Sequence, residues 1–346
     1  MVIVAILGIG LLIFAHELGH FLVAKLMRVK VDEFMLGFPG PRIFSFTRGE
    51  TTYGLTLVFF GGYCRFAHFD PQKSPPQDKG RFLEFQSVWR KLGILLGGPV
   101  MNLILPIFLI ATVLMAGFMV PTTTIVKVWP NAPAVEAGFK PGDKIISVDG
   151  KRINEWGEAV EIIRANPNKQ IKVGVVREGE LMLLYPTLTT RDSHGFLGIE
   201  VTTEMKRENP FVAFCKATIM TAQWTIKMCQ ILFEFLTQRL GEFVRGLRSP
   251  IGAVQEAARV ARGSILDFLL MLAVMSIFLG IFNFFPLPPL DGGRILIAGI
   301  ELIRRRPIEP SLLIAIQGAG MLFLLFLMVY LVLADIQRLV ASFGGI

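Results

Sequence analysis

Four long apolar stretches constrain the fold of this chain more than any other feature of its sequence. Each is long enough to cross a bilayer as a helix, and the mean hydropathy of the whole chain is +0.57. Inside a bilayer a segment must satisfy its own backbone hydrogen bonds, which favours helices. The sequence therefore predicts an α-helical polytopic membrane protein with about four transmembrane helices. We place these helices at residues 1–27, 93–120, 264–293 and 311–336.

The first stretch carries the most informative motif. Val2–Phe14 contains no charged residue, yet His16, Glu17 and His20 follow within the same apolar run. Residues 1–27 lack the basic region and the cleavage site of a signal peptide, so we expect them to be retained as the first transmembrane helix. Ionisable side chains in such a segment are costly, and they indicate a functional site.

The spacing of these three residues is that of the H-E-x-x-H zinc hydrolases. Two histidines four residues apart lie on one face of a helix, about one turn apart, where both can bind one metal ion. Glu17 lies beside them and could accept a proton from water. His16 and His20 are therefore predicted zinc ligands, and Glu17 is a predicted general base.

A third ligand is predicted at the end of the third span. Asn283 begins the segment N-F-F-P-L-P-P-L-D-G, whose three prolines remove backbone donors and open the helix. The order of the spans brings Asp291 to about the depth of His16 and His20. Considered alone, Asp291 could simply cap a loop. Together with the H-E-x-x-H motif, it is interpreted as the third ligand of an open catalytic zinc site.

Residues 28–92 carry more Lys and Arg than Asp and Glu, which predicts a cytoplasmic loop. Within this loop, Thr51–Phe60 is rich in β-branched and aromatic residues and predicts a membrane-associated β-hairpin region. A strand edge there could pair with an extended substrate, although a purely structural hairpin fits the sequence equally well. His68 is expected to be an ordinary loop residue.

Residues 121–203 have the composition of a soluble domain. Ala137–Gly150 follows the pattern A-G-x-x-x-G-D-x-I-x-x-V-x-G, and with the strand patterns around it this segment resembles a PDZ domain. The resemblance implies one inserted PDZ-like α+β domain that recognises extended peptide segments or excludes substrates by size.

Residues 204–263 are predicted to form amphipathic helices on the membrane surface. Part of this region, 211–248, is long enough to cross the bilayer but carries regularly spaced polar residues. A crossing would place Arg304–Arg306 outside, against the positive-inside tendency, so the surface position is favoured and a crossing remains open. Residues 294–310 are expected to form a cytoplasmic loop.

Charge and cysteine content bear on other classes of protein. The net charge is +8, but the basic residues flank apolar stretches, as in membrane proteins, so we expect no nucleic-acid partner. Cys64, Cys215 and Cys229 form no C-x-x-C pair, and we expect all three to be free thiols.

Taken together, the motifs resemble the site-2 protease family of intramembrane zinc metalloproteases, most closely the bacterial regulator-of-sigma-E protease type. The resemblance rests on H-E-L-G-H, on G-G-P-V-M-N at Gly97–Asn102, on the PDZ-like insert and on N-F-F-P-L-P-P-L-D-G. It implies that the Thr51–Phe60 region is a membrane re-entrant β element. The chain has one clear PDZ-like unit, whereas some members of the family carry two.

The resemblance also implies roles for individual residues. These are His16, His20 and Asp291 as Zn²⁺ ligands, Glu17 as the catalytic base, and Asn283 and Pro286 as residues that hold the substrate near the metal.

The implied activity is hydrolysis of peptide bonds within transmembrane segments, as in regulated intramembrane proteolysis of an anti-sigma factor or a signal-peptide remnant. The implied location is the bacterial cytoplasmic membrane, with the PDZ-like domain outside and the active site in the cytoplasmic half. The alternative is a non-catalytic membrane PDZ scaffold with a structural metal site, which would not need Glu17. A metal transporter would need ligands on several spans.

Overall fold

The structure is a computed structural model that contains two compact units. The larger unit consists of Met1–Met115 and Asn209–Ile346, and the smaller unit is the insert Ala116–Glu208. His68 and the end of the predicted Thr51–Phe60 strand lie outside the described residues. The structure describes residues 1–37, 39–57, 61–67, 76–191, 193–238, 249–288, 290–306 and 308–343.

Helices make up most of the larger unit. Within the described residues, four of them are long and apolar enough to cross a membrane, which confirms the predicted number of long apolar helices. These four are α1, α2, α7 and the Ser311–Gln337 part of α9. The helices in chain order are α1 (Val2–Leu26), α2 (Val88–Ala116), α3 (Pro133–Glu136), α4 (Trp156–Ala165), α5 (Pro210–Gln238), α6 (Pro250–Gly263), α7 (Ile265–Phe282), α8 (Asp291–Arg304) and α9 (Pro310–Phe343).

Several predicted boundaries differ from the structure. The helix predicted at 264–293 ends at Phe282, before the proline-rich segment. The helix predicted at 93–120 begins at Val88 and ends at Ala116, because Gly117 adopts a φ of 114° and a strand follows it. The loop predicted at 294–310 was wrong for most of its length, since α8 continues to Arg304. Apolar residues recur along one face of α8, and this periodicity outweighs the helix-breaking tendency of the glycines at its start.

Helix α5 lies beside three of the apolar helices, α1, α2 and α7. The rings of Phe214 and of Phe108 in α2 lie 6.0 Å apart. Met228 lines an apolar cavity of about 350 Å³ together with Ile13 of α1 and Val274 of α7. The favoured surface position of residues 211–248 stays a prediction.

A four-stranded sheet follows α1. Its strand order is β2-β3-β1-β4, with β1 and β3 parallel and the other pairs antiparallel. The predicted hairpin at Thr51–Phe60 was therefore too simple, because β3 lies inside the sheet with a partner on each side. The edge strands are β2 and β4. The strands are β1 (Val31–Leu36), β2 (Arg42–Arg48), β3 (Thr51–Thr56) and β4 (Gly62–Phe66).

A buried carboxylate joins three strands of this sheet. Glu33 in β1 is only 5% exposed. It accepts hydrogen bonds from Arg42 at 2.5 Å, from the Tyr63 hydroxyl at 2.8 Å, and from Arg65. A buried charge is tolerated when it is paired and hydrogen-bonded in this way. Charged residues interrupt the apolar pattern of β1 and β4, so the sequence did not predict either strand.

The smaller unit has the α+β architecture expected of the insert. Its main sheet has the order β12-β5-β6-β8-β9, with β7 paired to β6, and α4 packs on its core through Ala159 and Ile163. Arg177 binds the buried Asp143 carboxylate through two hydrogen bonds of 2.6 and 2.8 Å. The strands are β5 (Phe118–Val128), β6 (Lys144–Val148), β7 (Lys151–Arg152), β8 (Val173–Arg177), β9 (Glu180–Leu184), β10 (Thr189–Arg191), β11 (His194–Phe196) and β12 (Ile199–Lys206).

Candidate metal centre

Helices α1 and α2 meet at backbone contact. A Cβ added to Gly19 would overlap the carbonyl group of Gly97, and one added to Gly97 would lie 2.6 Å from the carbonyl oxygen of Gly19. Only glycine permits this approach, which is typical of small residues at helix crossings in membranes. The crossing brings the His16–His20 face of α1 against the G-G-P-V-M-N face of α2.

Three of the predicted site residues meet at this crossing. The distance from His16 Nε2 to Asp291 Oδ2 is 2.9 Å, and His20 Nε2 lies 3.2 Å from both of these atoms. All three side chains are buried. The structure therefore brings together residues that are 275 positions apart in sequence.

The geometry of these atoms fits a zinc ion. In a tetrahedral zinc site with bonds near 2.0–2.1 Å, neighbouring ligand atoms lie roughly 3.3 Å apart, close to the separations found here. Two imidazoles and one carboxylate are a donor set that zinc accepts in catalytic sites. Gly98 leaves the necessary room, because a Cβ at this position would overlap His20 Nε2 and lie 2.7 Å from His16 Nε2.

A backbone carbonyl orients one of the imidazoles. His20 Nδ1 lies 2.8 Å from the carbonyl oxygen of Ile94 in α2. A carbonyl oxygen can only accept, so Nδ1 donates the hydrogen, and in the neutral ring Nε2 then keeps its lone pair for a metal. The other ring, His16, has its Nδ1 3.2 Å from the side-chain amide nitrogen of Asn102.

Asp291 reaches the centre because the chain turns sharply between α7 and α8. The Gly292 amide donates to the Asn283 carbonyl at 2.6 Å, which joins the end of α7 to the start of α8. A Cβ at Gly292 would overlap the carbonyl groups of Phe284 and Phe285. The hydrogen bond from Gly292 to Asn283 brings the end of α7 to the start of α8 and places Asp291 on the first turn of α8.

A cavity of about 280 Å³ opens beside the three side chains. Asn283 lines it and donates through Nδ2 to the Leu279 carbonyl at 2.9 Å. Pro286 is not among the described residues that line the cavity. The lining residues are His16, Glu17, His20, Tyr63, Cys64, Phe66, Leu95, Asn283, Leu290, Asp291 and Arg294.

Glu17 is held in this cavity by strand β4. Its Oε2 accepts a hydrogen bond of 3.0 Å from the Cys64 amide. Burial raises the pKa of the Cys64 thiol above its ordinary value, so the thiol stays neutral. Sequence analysis missed this contact, because a backbone amide leaves no trace in a side-chain pattern. It also missed Arg294, which helical spacing from Asp291 could have indicated.

Comparison with known proteins identifies the family to which this chain is similar. The sequence profile of Peptidase family M50 matches residues 4–327. Zinc metalloprotease RasP of Bacillus licheniformis is 27% identical, with 98% of this chain and 99% of that protein covered. Regulator of sigma-W protease RasP of Bacillus subtilis is also 27% identical, with 98% of each chain covered. The PDZ domain of an SdrC-like protein from Listeria monocytogenes covers 23% of this chain at 18% identity, but its TM-score is only 0.22.

The four long apolar helices and the match to full-length zinc metalloproteases define the class of this protein. It is a multi-pass membrane protein and an intramembrane zinc metalloprotease. The chain belongs to Peptidase family M50, the site-2 protease family that the sequence motifs resemble. Family membership supports enzymatic function in regulated intramembrane proteolysis over the scaffold alternative.

Proposed function

We propose that His16, His20 and Asp291 hold the catalytic zinc ion and that Glu17 is the general base of peptide hydrolysis within the membrane. The observation that carries this proposal is the convergence of one ligand atom from each of the three residues within 4.8 Å. Glu17 lines the same cavity. Bound zinc would supply Lewis-acid chemistry, polarising a carbonyl group and making water more acidic.

The role of Glu17 follows from its surroundings. The Cys64 amide fixes one oxygen of its carboxylate, so the group faces the cavity in a defined orientation. In this position Glu17 would accept a proton from the attacking water and return it to the leaving amine.

Strand β4 would position the substrate. It is an edge strand within the described residues, and the Cys64 amide points from its outer edge towards Glu17. Gly62 has the same parity in the strand, so its backbone groups lie on this outer edge as well. A transmembrane helix satisfies its own hydrogen bonds and must unwind before cleavage, and an extended segment could then pair with β4.

The proposed substrate is a single-span membrane protein, such as an anti-sigma factor or a signal-peptide remnant. The name of the Bacillus subtilis relative, Regulator of sigma-W protease, supports the first choice. The excess of basic residues in 28–92 supports a cytoplasmic position of this loop, with the active site in the cytoplasmic half of a bacterial inner membrane. The PDZ-like insert would then lie outside and bind peptide segments. Asn283 would contact the substrate, while the position of Pro286 supports a role in shaping the turn.

The test compares cleavage of a model transmembrane substrate by the wild type and by Glu17→Gln, with bound zinc quantified in both. We expect Glu17→Gln to keep its zinc and to lose cleavage. Equal cleavage by the two proteins would contradict the proposed role of Glu17. Full zinc binding after replacement of Asp291 by Ala would contradict the proposed ligand set.

A further inference from the structure

We propose that Asn102 is a positioning residue that fixes the His16 ring in the form able to bind zinc, by accepting a hydrogen bond from Nδ1 through its side-chain oxygen. The inference rests on the proposed metal site and goes beyond its three ligands. A metal ion on Nε2 requires that the ring hydrogen be on Nδ1, and Nδ1 then needs an acceptor.

The Asn102 side chain is completely buried next to this nitrogen. Its Nδ2 lies 3.2 Å from His16 Nδ1. Its Oδ1 is buried as well and has no hydrogen-bond partner among the described residues. The oxygen and nitrogen of an amide have nearly the same shape, so rotation by 180° exchanges their positions with little change in the space that the side chain fills. The rotated amide brings the unpaired oxygen to Nδ1 as the acceptor.

The two amide orientations correspond to two forms of the His16 ring. When Nδ2 faces the ring, Nδ1 must accept, and the ring hydrogen lies on Nε2, where it can be donated to Asp291 over 2.9 Å. When Oδ1 faces the ring, Nδ1 donates, and Nε2 keeps the lone pair that a zinc ion needs. The orientation of the Asn102 amide and the metal-binding ability of His16 are therefore coupled.

The same helix face orients both rings. Ile94, Gly98 and Asn102 are spaced at four-residue intervals on α2, so they lie along one face. The Ile94 carbonyl serves His20, Gly98 leaves room for both rings, and Asn102 serves His16. One ring thus has a backbone acceptor, and the other depends on a side chain.

The position of Asn102 is itself fixed by a neighbouring helix. Pro106 has no amide hydrogen, so the Asn102 carbonyl lacks its usual partner four residues later in α2. Ser276 of α7 donates to this carbonyl at 2.8 Å. A Cβ added to Gly280 of α7 would lie 3.2 Å from the Asn102 Cβ, which shows how closely the two helices meet.

Zinc affinity of the full chain in detergent, measured by competition with a chelator, tests this role. Asn102→Leu keeps the approximate volume but removes the acceptor, and we expect its zinc affinity to fall about 10- to 100-fold. Asn102→Asp supplies a carboxylate acceptor and should restore the affinity. Ser276→Ala is the matched comparison, because it loosens the same helix contact but keeps the acceptor for His16, and its zinc affinity should fall much less than that of Asn102→Leu.

The outcomes separate this inference from the proposed site. Wild-type affinity in Asn102→Leu would overturn the role of Asn102, and so would an equal loss in Asn102→Leu and Ser276→Ala. If His16→Ala also bound zinc like the wild type, the proposed ligand set itself would be wrong.

A second measurement uses the wild-type protein alone. The chain has only four histidines, so ¹⁵N-histidine NMR of the zinc-loaded wild type can assign the ring hydrogens. We expect His16 to carry its hydrogen on Nδ1. A His16 ring with its hydrogen on Nε2 in the zinc-loaded protein would overturn the inference.

Discussion

The backbone amide of Cys64 donates a hydrogen bond to the carboxylate of Glu17 over 3.0 Å. This contact joins the β-sheet of the larger unit to the proposed metal centre. It links the proposed general base and the edge strand through one backbone atom, so the same strand would orient Glu17 and receive the substrate.

Removal of this amide should therefore lower activity without removing zinc. Cys64→Pro lacks the backbone donor, and proline is compatible with an edge strand. We expect cleavage of a model transmembrane substrate to fall about 10- to 100-fold, part of the contribution of a general base. Cys64→Ala keeps the amide and should cleave at nearly the wild-type rate. Equal rates for the two variants would show that the amide does not orient Glu17.

Gly98 should be essential for zinc binding. A Cβ at this position overlaps His20 and approaches His16, so Gly98→Ala should displace both rings and abolish most zinc binding. Gly93→Ala on the same helix is the control, because its Cβ meets mainly the flexible end of the Met27 side chain at 2.6 Å. The measurement is the zinc content of the two purified variants. Full zinc content in Gly98→Ala would contradict the geometry of the site.

The buried carboxylate of Glu33 should stabilise the sheet beside the cavity. Glu33→Leu removes the acceptor of three side chains and should destabilise the sheet by roughly 1–3 kcal/mol. Faster hydrogen exchange of the β1 and β4 amides would report this loss. The exposed Glu50–Arg81 pair offers a control, since Glu50→Gln should change stability by less than about 1 kcal/mol. Unchanged exchange in Glu33→Leu would contradict the proposed role of Glu33.

The Asp143–Arg177 pair should make the smaller unit sensitive to acid. Burial alone would raise the pKa of the Asp143 carboxyl, but hydrogen bonds from Arg177 and the Lys140 amide outweigh it, and the pKa lies below its usual range. The stabilisation is thus complete above the ordinary aspartate pKa of about 4 and is lost as the pH falls through the lower value of the folded state.

Hydrogen exchange of the β6 and β8 amides, compared between proteins at each pH, measures this effect. Asp143→Asn loses charge-assisted hydrogen bonds and should be less stable than the wild type at neutral pH by roughly 1–3 kcal/mol, with the difference disappearing at low pH. A difference that stays constant with pH would contradict the assigned cause.

Helical spacing and apolar context were enough to predict part of the site. His16 and His20 share a face because they are four residues apart, and ionisable side chains in an apolar run are too costly to persist without a function. The structure brings Asp291 to these two residues, as the order of the spans led us to expect. Long apolar helices could be predicted equally well, because a segment inside lipid must satisfy its own backbone hydrogen bonds.

Other features depend on contacts that no local pattern reveals. Strand β4 reaches the site through a backbone amide, and its Arg65 pairs with the buried Glu33 of the neighbouring strand. The amphipathic periodicity of α8 was hidden by the glycines and arginines at its ends. The link from Ser276 to Asn102 becomes predictable only once α2 and α7 are known to be neighbours.

Zinc K-edge X-ray absorption of the purified full chain tests the central claim most directly. We expect two imidazole nitrogens and further oxygen ligands at about 2.0–2.2 Å, with one imidazole lost in His20→Ala. Sulfur scattering at about 2.3 Å, or an unchanged spectrum in His20→Ala, would contradict a centre formed by His16, His20 and Asp291.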